Sequence, residues 1–221
     1  MKRGLIFLFL FLMTALVPSA YAGEVQDAIS SAQPSPSWNL GVDGGFVVPI
    51  ANMDDVTFSA PNQLTSTDGF IVGGHVFYNV NSFLALGSEL YYSQMGFGIN
   101  GCPQGIGTNG TVSIIPLSLR LFHKFGSWTP YFGTGVGLNV NKTWFNGNYP
   151  LTAATPDSFA FKADVGTDYA LTSTTALNAE LGVITDNGTA TVTANGAPGP
   201  GVGIFRNTSI FYGMIGVAFN L

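Results

Sequence analysis

Charge is what this chain has least of. Only 9% of its 221 residues are Asp, Glu, Lys or Arg, against about a quarter in ordinary soluble domains. A water-facing surface for a domain of this size is hard to build from so few charges, whereas a surface facing lipid needs almost none. Seven Lys and Arg stand against twelve acids, which argues against nucleic acid, because phosphate binding needs clustered Lys and Arg. Cysteine is nearly absent. Cys102 stands alone and makes neither an internal disulfide nor a cysteine-rich metal site. The two histidines, His75 and His123, lie far apart in sequence, so no metal site is expected, and no cofactor. Long apolar runs are missing too, with one exception: Leu5–Leu16.

That exception has a clear reading. Lys2 and Arg3 precede it and Ala20-Tyr21-Ala22 follows, the basic start, apolar core and small-x-small site of a secretory signal peptide. Residues 1–22 are therefore expected to be removed, and the chain exported. An uncleaved anchor is the alternative, but the run is shorter than the ~20 residues of a spanning helix. The remaining 199 residues carry five cations against twelve acids, a net charge of −7. Residues 23–36 lack a clear period and read as a flexible periplasmic lead-in, with a short helix at Val25–Ser31 as the lesser alternative. The domain proper is expected over 37–221.

What the domain has in abundance is alternation. Along the first segment Trp38, Leu40, Val42, Phe46 and Val48 share one face, and Asn39, Gly41, Asp43 and Gly45 the other. The second sets Phe70, Val72, Val76 and Tyr78 against Gly73 and His75, with Ile71 and Phe77 also on the His75 side. The third sets Leu84, Leu86, Leu90 and Tyr92 against Ala85, Gly87, Glu89, Tyr91 and Ser93. In the fourth, Ile115, Leu117, Leu119 and Leu121 oppose Pro116, Ser118 and Arg120. In the fifth, Phe132, Val136, Leu138 and Val140 oppose Gly133, Gly135, Gly137 and Asn139. The sixth opposes Phe159, Phe161, Val165, Tyr169 and Leu171 to Lys162, Asp164, Gly166 and Asp168. The seventh opposes Leu177, Ala179, Leu181 and Val183 to Asn178, Glu180 and Gly182. The last opposes Phe211, Ile215, Val217, Phe219 and Leu221 to Met214, Gly216 and Asn220. Period two over so many segments predicts strands, each about nine to eleven residues long, the length of a tilted membrane-spanning strand.

The connections are as regular as the segments. Short turns fall at Asn79–Ser82, His123–Trp128 and Thr172–Thr174, and long stretches at Pro49–Asp68, Met95–Thr111, Asn141–Asp157 and Thr185–Asn207. Long and short alternate, so in an up-and-down arrangement all turns lie at one end and all long stretches at the other. Outer-membrane barrels have that asymmetry, with short periplasmic turns and longer extracellular loops. The fold expected is all-β: an eight-stranded antiparallel up-and-down transmembrane barrel. Closure is required, because in hydrocarbon every backbone N–H and C=O must pair within the protein. Trp38 and Trp128 fall near the periplasmic ends and Trp144 near the outer rim, where aromatic belts belong.

Three segments stand out: Leu86-Gly87-Ser88-Glu89-Leu90-Tyr91-Tyr92-Ser93-Gln94-Met95-Gly96, the Pro-containing Ile115-Pro116-Leu117-Ser118-Leu119 and the Gly-rich Pro130-Tyr131-Phe132-Gly133-Thr134-Gly135-Val136-Gly137. Together they resemble the porin-like outer-membrane β-barrel domain family, the small eight-stranded OmpA-, OmpX- and OmpW-like proteins of Gram-negative bacteria. The ending Gly216-Val217-Ala218-Phe219-Asn220-Leu221 is similar to the family's terminal assembly signal, with Gly216, Phe219 and Leu221 as its carriers; a common last residue there is Phe, and here it is Leu. The resemblance implies an outer-membrane location, lipid and lipopolysaccharide around the barrel, and the barrel-assembly machinery and periplasmic chaperones during biogenesis. It implies little about activity, because one fold hosts many functions.

Chemistry, if any, rests on charges of the glycine-rich phase. Asp43, His75, Glu89, Arg120, Lys162, Asp164, Asp168 and Glu180 are expected to share a narrow lumen as a polar network, with Gly41, Gly45, Gly73, Gly87, Gly133, Gly135 and Gly166 making room beside them. Five carboxylates against two permanent cations favour cations in any ion path. No catalytic constellation is expected, since no segment places a His beside a Ser at strand spacing. Gly133-Thr134-Gly135-Val136-Gly137 loosely matches a dinucleotide loop, but no helix follows. The function expected is structural or surface-interacting, through four long extracellular loops, with a narrow cation-preferring pore as a further reading. The alternative from another class is a secreted soluble lipocalin-like carrier of a small apolar ligand, which turns the apolar phase inward.

Overall fold

Alternating side chains need a sheet with two different faces, and a sheet in lipid needs no edges. The computed structural model satisfies both demands. It describes residues 37–50, 64–99, 107–145, 151–194, 203–206 and 209–221; the expected signal peptide and lead-in (1–36) and Cys102 lie outside them. Among the described residues the strands are β1 (Ser37–Pro49), β2 (Leu64–Asn79), β3 (Leu84–Ile99), β4 (Gly107–Phe122), β5 (Trp128–Phe145), β6 (Leu151–Ala154), β7 (Ser158–Ala170), β8 (Thr175–Ile184), β9 (Thr189–Ala194), β10 (Gly203–Arg206) and β11 (Ile210–Asn220). Eight close into a barrel in the order β1-β11-β8-β7-β5-β4-β3-β2. The seam is sealed by the antiparallel pair β1 and β11, extended by Trp38 N–H to Leu221 O at 3.0 Å and Leu221 N–H to Trp38 O at 2.8 Å.

Register fixes the stagger. A single row of partners runs Asn39, Phe77, Gly87, Ser118, Gly135, Lys162, Ile184, Ile210 and back to β1 at Pro49, ten residues beyond its start. Such an offset tilts every strand against the barrel axis. It also brings side chains from distant ladder positions to one height inside.

The faces fall as the alternation requires. Trp38, Val42, Phe70, Leu90, Leu117, Leu138, Phe159, Leu177 and Ile215 all lie exposed on the exterior, and Asn39, Asp43, His75, Glu89, Arg120, Lys162, Asp164, Asn178 and Glu180 are buried within. This is the inverse of a soluble carrier's arrangement, and the carrier alternative has no support. Aromatic pairs mark the turn end of the belt, Trp38 against Tyr78 with ring centroids 5.0 Å apart and Trp128 against Tyr169 at 4.8 Å.

Three short turns lie at that end. In the first, Asn81 Oδ1 accepts from the N–H groups of Phe83 and Leu84 at 2.9 and 2.8 Å. The second turns on Gly126, whose φ of 59° is the left-handed region glycine enters without steric cost. In the third, Thr172 Oγ1 accepts from the N–H groups of Thr174 and Thr175 at 3.2 and 3.0 Å.

Three expectations need correcting. The strands are longer than nine to eleven residues on one side: β2, β3 and β4 have 16 and β5 has 18. Past the lipid belt the outward face no longer needs apolar residues, so the hydrophobic signal ends before the hydrogen-bonded ladder does. The stretches Asn141–Asp157 and Thr185–Asn207 are not wholly loop either, since they supply β6, β9 and β10, a separate three-stranded sheet in the order β10-β9-β6. Third, Ile115 and Pro116 have the opposite sides from those expected: Ile115 is buried and its neighbour Ile114 is 43% exposed, while Pro116 is exposed. Register slips by one residue on β4 against both neighbours, between Gly87/Glu89 on one side and Ile114/Leu117 on the other. Proline has no N–H for the ladder and belongs at a bulge; an extra residue there reverses the phase of everything beyond it.

Candidate functional site: the luminal charge cluster

Lys162 stands at the centre of the lumen with its side chain 0% exposed. On β7 it and Asp164 are two residues apart and so share the inward face. Its ammonium is held by three carboxylates: Glu89 of β3, Asp164 at 2.8 Å and Glu180 of β8 at 3.0 Å. Each glutamate is anchored again from another strand. Glu89 accepts from the Tyr91 hydroxyl and from Ser118 Oγ of β4 at 2.5 Å. Glu180 accepts from the Tyr212 hydroxyl of β11 at 2.6 Å and the Tyr131 hydroxyl of β5 at 2.9 Å. Arg120 of β4 lies 3.5 Å from Glu180, its guanidinium between the rings of Phe77 at 4.1 Å and Tyr131 at 3.8 Å. Asp164 is the least satisfied member: apart from its ion pair with Lys162, neither oxygen accepts a well-formed hydrogen bond.

A second group lies toward the turn end. His75 of β2 sets Nδ1 3.0 Å from Asp43 Oδ2 and Nε2 3.0 Å from Asn39 Oδ1, both on β1. Asn39 donates to Asn220 Oδ1 of β11 at 3.0 Å. Asp168 sits elsewhere, accepting from Asn178 Nδ2 at 2.6 Å. The eight expected residues thus all face inward, but they form one cluster of five (Glu89, Arg120, Lys162, Asp164, Glu180), one separate pair (Asp43 and His75), and Asp168 with an amide partner.

Glycines give these side chains their places. A Cβ on Gly41 would collide with the His75 ring, on Gly133 with the Asp164 carboxylate, on Gly73 with Tyr91, on Gly87 with Phe77 and on Gly135 with Ile115. Gly166, Gly182 and Gly216 stand in the same relation to Tyr131, Tyr212 and Asp43. Gly45 differs, because it abuts the Gly213 carbonyl instead of a side chain. The rings of His75, Tyr91, Tyr131 and Tyr212 and the carboxylates of Asp43 and Asp164 thus lie over sockets that a larger residue would close.

Sequence reading missed three parts of the interior. Tyr131 and Tyr212 complete the cluster, and their signal was available, since both fall in the phase of the charges. Outward of the ions on each strand, Val47, Ile71, Met95, Ile115, Ile184 and Ile210 pack with Tyr91 and Tyr212 in one buried apolar group. Farther toward the loop end of β4, β5, β7 and β8 a hydrogen-bonded arc runs from Thr111 to Asn141 at 2.7 Å, Asn141 to Asp186 at 2.9 Å and Ser158 to Asp186 at 2.6 Å. Asp186 lies in a stretch assigned to loop, so its phase gave no signal.

A closed eight-stranded barrel with a greasy exterior and a charged interior is the architecture of small outer-membrane proteins, and solved structures share it. Outer membrane protein OprG from Pseudomonas aeruginosa superposes with a TM-score of 0.67 at 15% identity, over 83% of this chain and 95% of that one. Outer membrane protein AlkL, determined in lipid bilayers, gives 0.58 at 19% identity over 87% and 93%. Neisserial surface protein A gives 0.55 at 16% over 84% and 99%. These likenesses show the fold. No protein-family model and no curated protein sequence matches the chain.

Proposed function

We propose that this chain is an exported outer-membrane barrel that acts as a plugged, rigid platform for structures at its outer end. One observation supports the plug above all: Lys162, Glu89, Glu180, Tyr91, Tyr131, Tyr212 and Arg120 meet across the lumen from β3, β4, β5, β7, β8 and β11. An eight-stranded interior is only wide enough for side chains to fill it, and these fill it with paired charge. The platform reading is supported by β6 and β9, which come from two different long connections yet pair with each other, so the outer end carries ordered structure beyond the barrel wall. The role is non-catalytic, by contact with the surroundings of the cell. Residues 1–22 are read as its export signal, 23–36 as a lead-in, and Gly216, Phe219 and Leu221 as the signal for the assembly machinery; Phe219 and Leu221 face outward.

The second reading, a narrow cation-preferring path, draws on the luminal excess of acids, five against Arg120 and Lys162. Planar-bilayer recording of the refolded chain separates the two. The plug predicts a silent barrel. Stable single-channel openings would overturn it, and cation preference in those openings would establish the second reading.

A further inference from the structure

The outward wall is not wholly apolar, and among its polar residues one cation stands near the outer rim. On the outward faces of the eight barrel strands, among the described residues, Lys142 is the only cation. It lies near the outer end of β5, beyond Leu138 and Val140, both exposed. Fourteen residues separate it from Trp128 at the opposite rim. At ~3.3 Å per residue and a tilt of ~40° that is about 35 Å of axial height. The apolar band of such barrels is about 25 Å tall, and headgroups bring a bilayer to roughly 40–45 Å. Lys142 therefore stands in the outer headgroup layer, past the acyl chains.

Its neighbours form a prepared surface. Gln94, Gly110 and Lys142 lie in one cross-strand row on β3, β4 and β5. Gly110 has no side chain, and the space it leaves is taken by the indole of Trp144, against which a Cβ would collide; the Tyr92 hydroxyl lies beside the same position. Tyr92 is held by a 3.0 Å hydrogen bond to Gln94 Oε1. The Lys142 ammonium sits 5.5 Å from the Trp144 ring centroid, and both side chains are exposed. A flat aromatic ring with a cation at its margin suits a sugar ring that carries a phosphate: the ring stacks and the phosphate meets the ammonium. Of the described acids, Asp157 is the nearer, exposed immediately before β7, which pairs with β5, while Asp68 on β2 has β3 and β4 between it and β5.

We infer that Lys142, Trp144, Gly110 and Tyr92 form an outward-facing docking site for the phosphorylated glucosamine headgroup of lipopolysaccharide. The inference rests on the outer-membrane reading above and adds a specific lipid contact to it. The test uses the full chain refolded into phosphatidylcholine vesicles containing bisphosphorylated lipid A, its dephosphorylated form, or neither. Tryptophan emission and native mass spectrometry report the bound lipid. Wild type should bind the phosphorylated form about tenfold more tightly than the dephosphorylated one, the scale of one charge-assisted contact. K142E should abolish that preference, K142R should keep it, and G110V should weaken it by displacing the indole while leaving Lys142 in place. Equal binding of both lipids by wild type, or an unchanged preference in K142E, overturns the site and leaves the barrel reading standing. A chain that fails to enter any vesicle and shows no heat-shifted gel mobility overturns the outer-membrane reading and this inference with it.

Discussion

The lumen holds two ionic groups, and they are built on different logic. Around Lys162 one cation serves three carboxylates, and the two glutamates have further partners on other strands. At His75 one imidazole serves one carboxylate and one amide, and Asp43 Oδ1 is without a hydrogen-bond partner. The first group ties most of the barrel wall to a single atom. The second joins only β1 and β2, with β11 reached through Asn39 and Asn220. Removing a charge from a buried set costs most when the remaining charges are left uncompensated. The number of carboxylates that depend on a cation, more than the length of any one contact, should therefore rank the two groups.

Lys162→Met tests the larger side of that comparison. It leaves Glu89, Asp164 and Glu180 buried with Arg120 as the remaining nearby cation, and a loss of about 3–5 kcal/mol is expected, read as a lower midpoint in urea unfolding of the vesicle-inserted barrel. Adding Glu89→Gln and Asp164→Asn to the same chain should recover a large part of the loss, because the methionine then faces one carboxylate instead of three. If the triple variant is no more stable than the single one, the cluster is held by packing and not by charge balance.

The sockets sharpen the same contrast. Gly166→Val places methyl groups where the Tyr131 ring lies, and Tyr131 both anchors Glu180 and covers Arg120. Overpacking costs about 1–3 kcal/mol, and the same unfolding measurement should show it. Gly74→Val is the companion: Gly74 alternates with the luminal Gly73 and His75, and its Cβ would meet little beyond the Gly41 carbonyl. A comparable loss at both glycines would show that strand flexibility, not socket shape, is what these residues supply.

Much of this was legible in the sequence, for a physical reason that also sets its limit. Alternation reports which face each residue takes, so the eight strands, their turns and the inward set Asp43, His75, Glu89, Arg120, Lys162, Asp164, Asp168 and Glu180 were readable from one chain. Alternation does not report height. Whether Asp43 meets Lys162 or His75 depends on the ten-residue stagger around the barrel, and no local pattern carries that number. Ile115 fails for a related reason: the bulge at Pro116 reverses the phase, and the leucines that follow hide the slip. The long ladders of β2, β4 and β5 were missed because Thr, Ser, Asn and Gly dominate their outer ends without hydrophobic contrast, whereas β3 continues inward through buried Met95 and Phe97 in a stretch read as loop.

The smallest effect belongs to the His75 group, and it is the one most able to refute the ranking. His75→Gln keeps a polar side chain over Gly41, with one amide that reaches either Asp43 or Asn39 but has no second ring nitrogen to span both. One hydrogen bond is lost on a buried partner, so about 1 kcal/mol is expected, well below Lys162→Met. Asp43→Asn should cost no more, because it exchanges a carboxylate with one unpartnered oxygen for an amide and leaves no second acid behind. Paired in one chain, the two changes should be less than additive, since each removes the same contact. Should either single variant match the loss in Lys162→Met, the contact between β1 and β2 would be carrying the barrel, and the central cluster would be a filling for a lumen that closes without it.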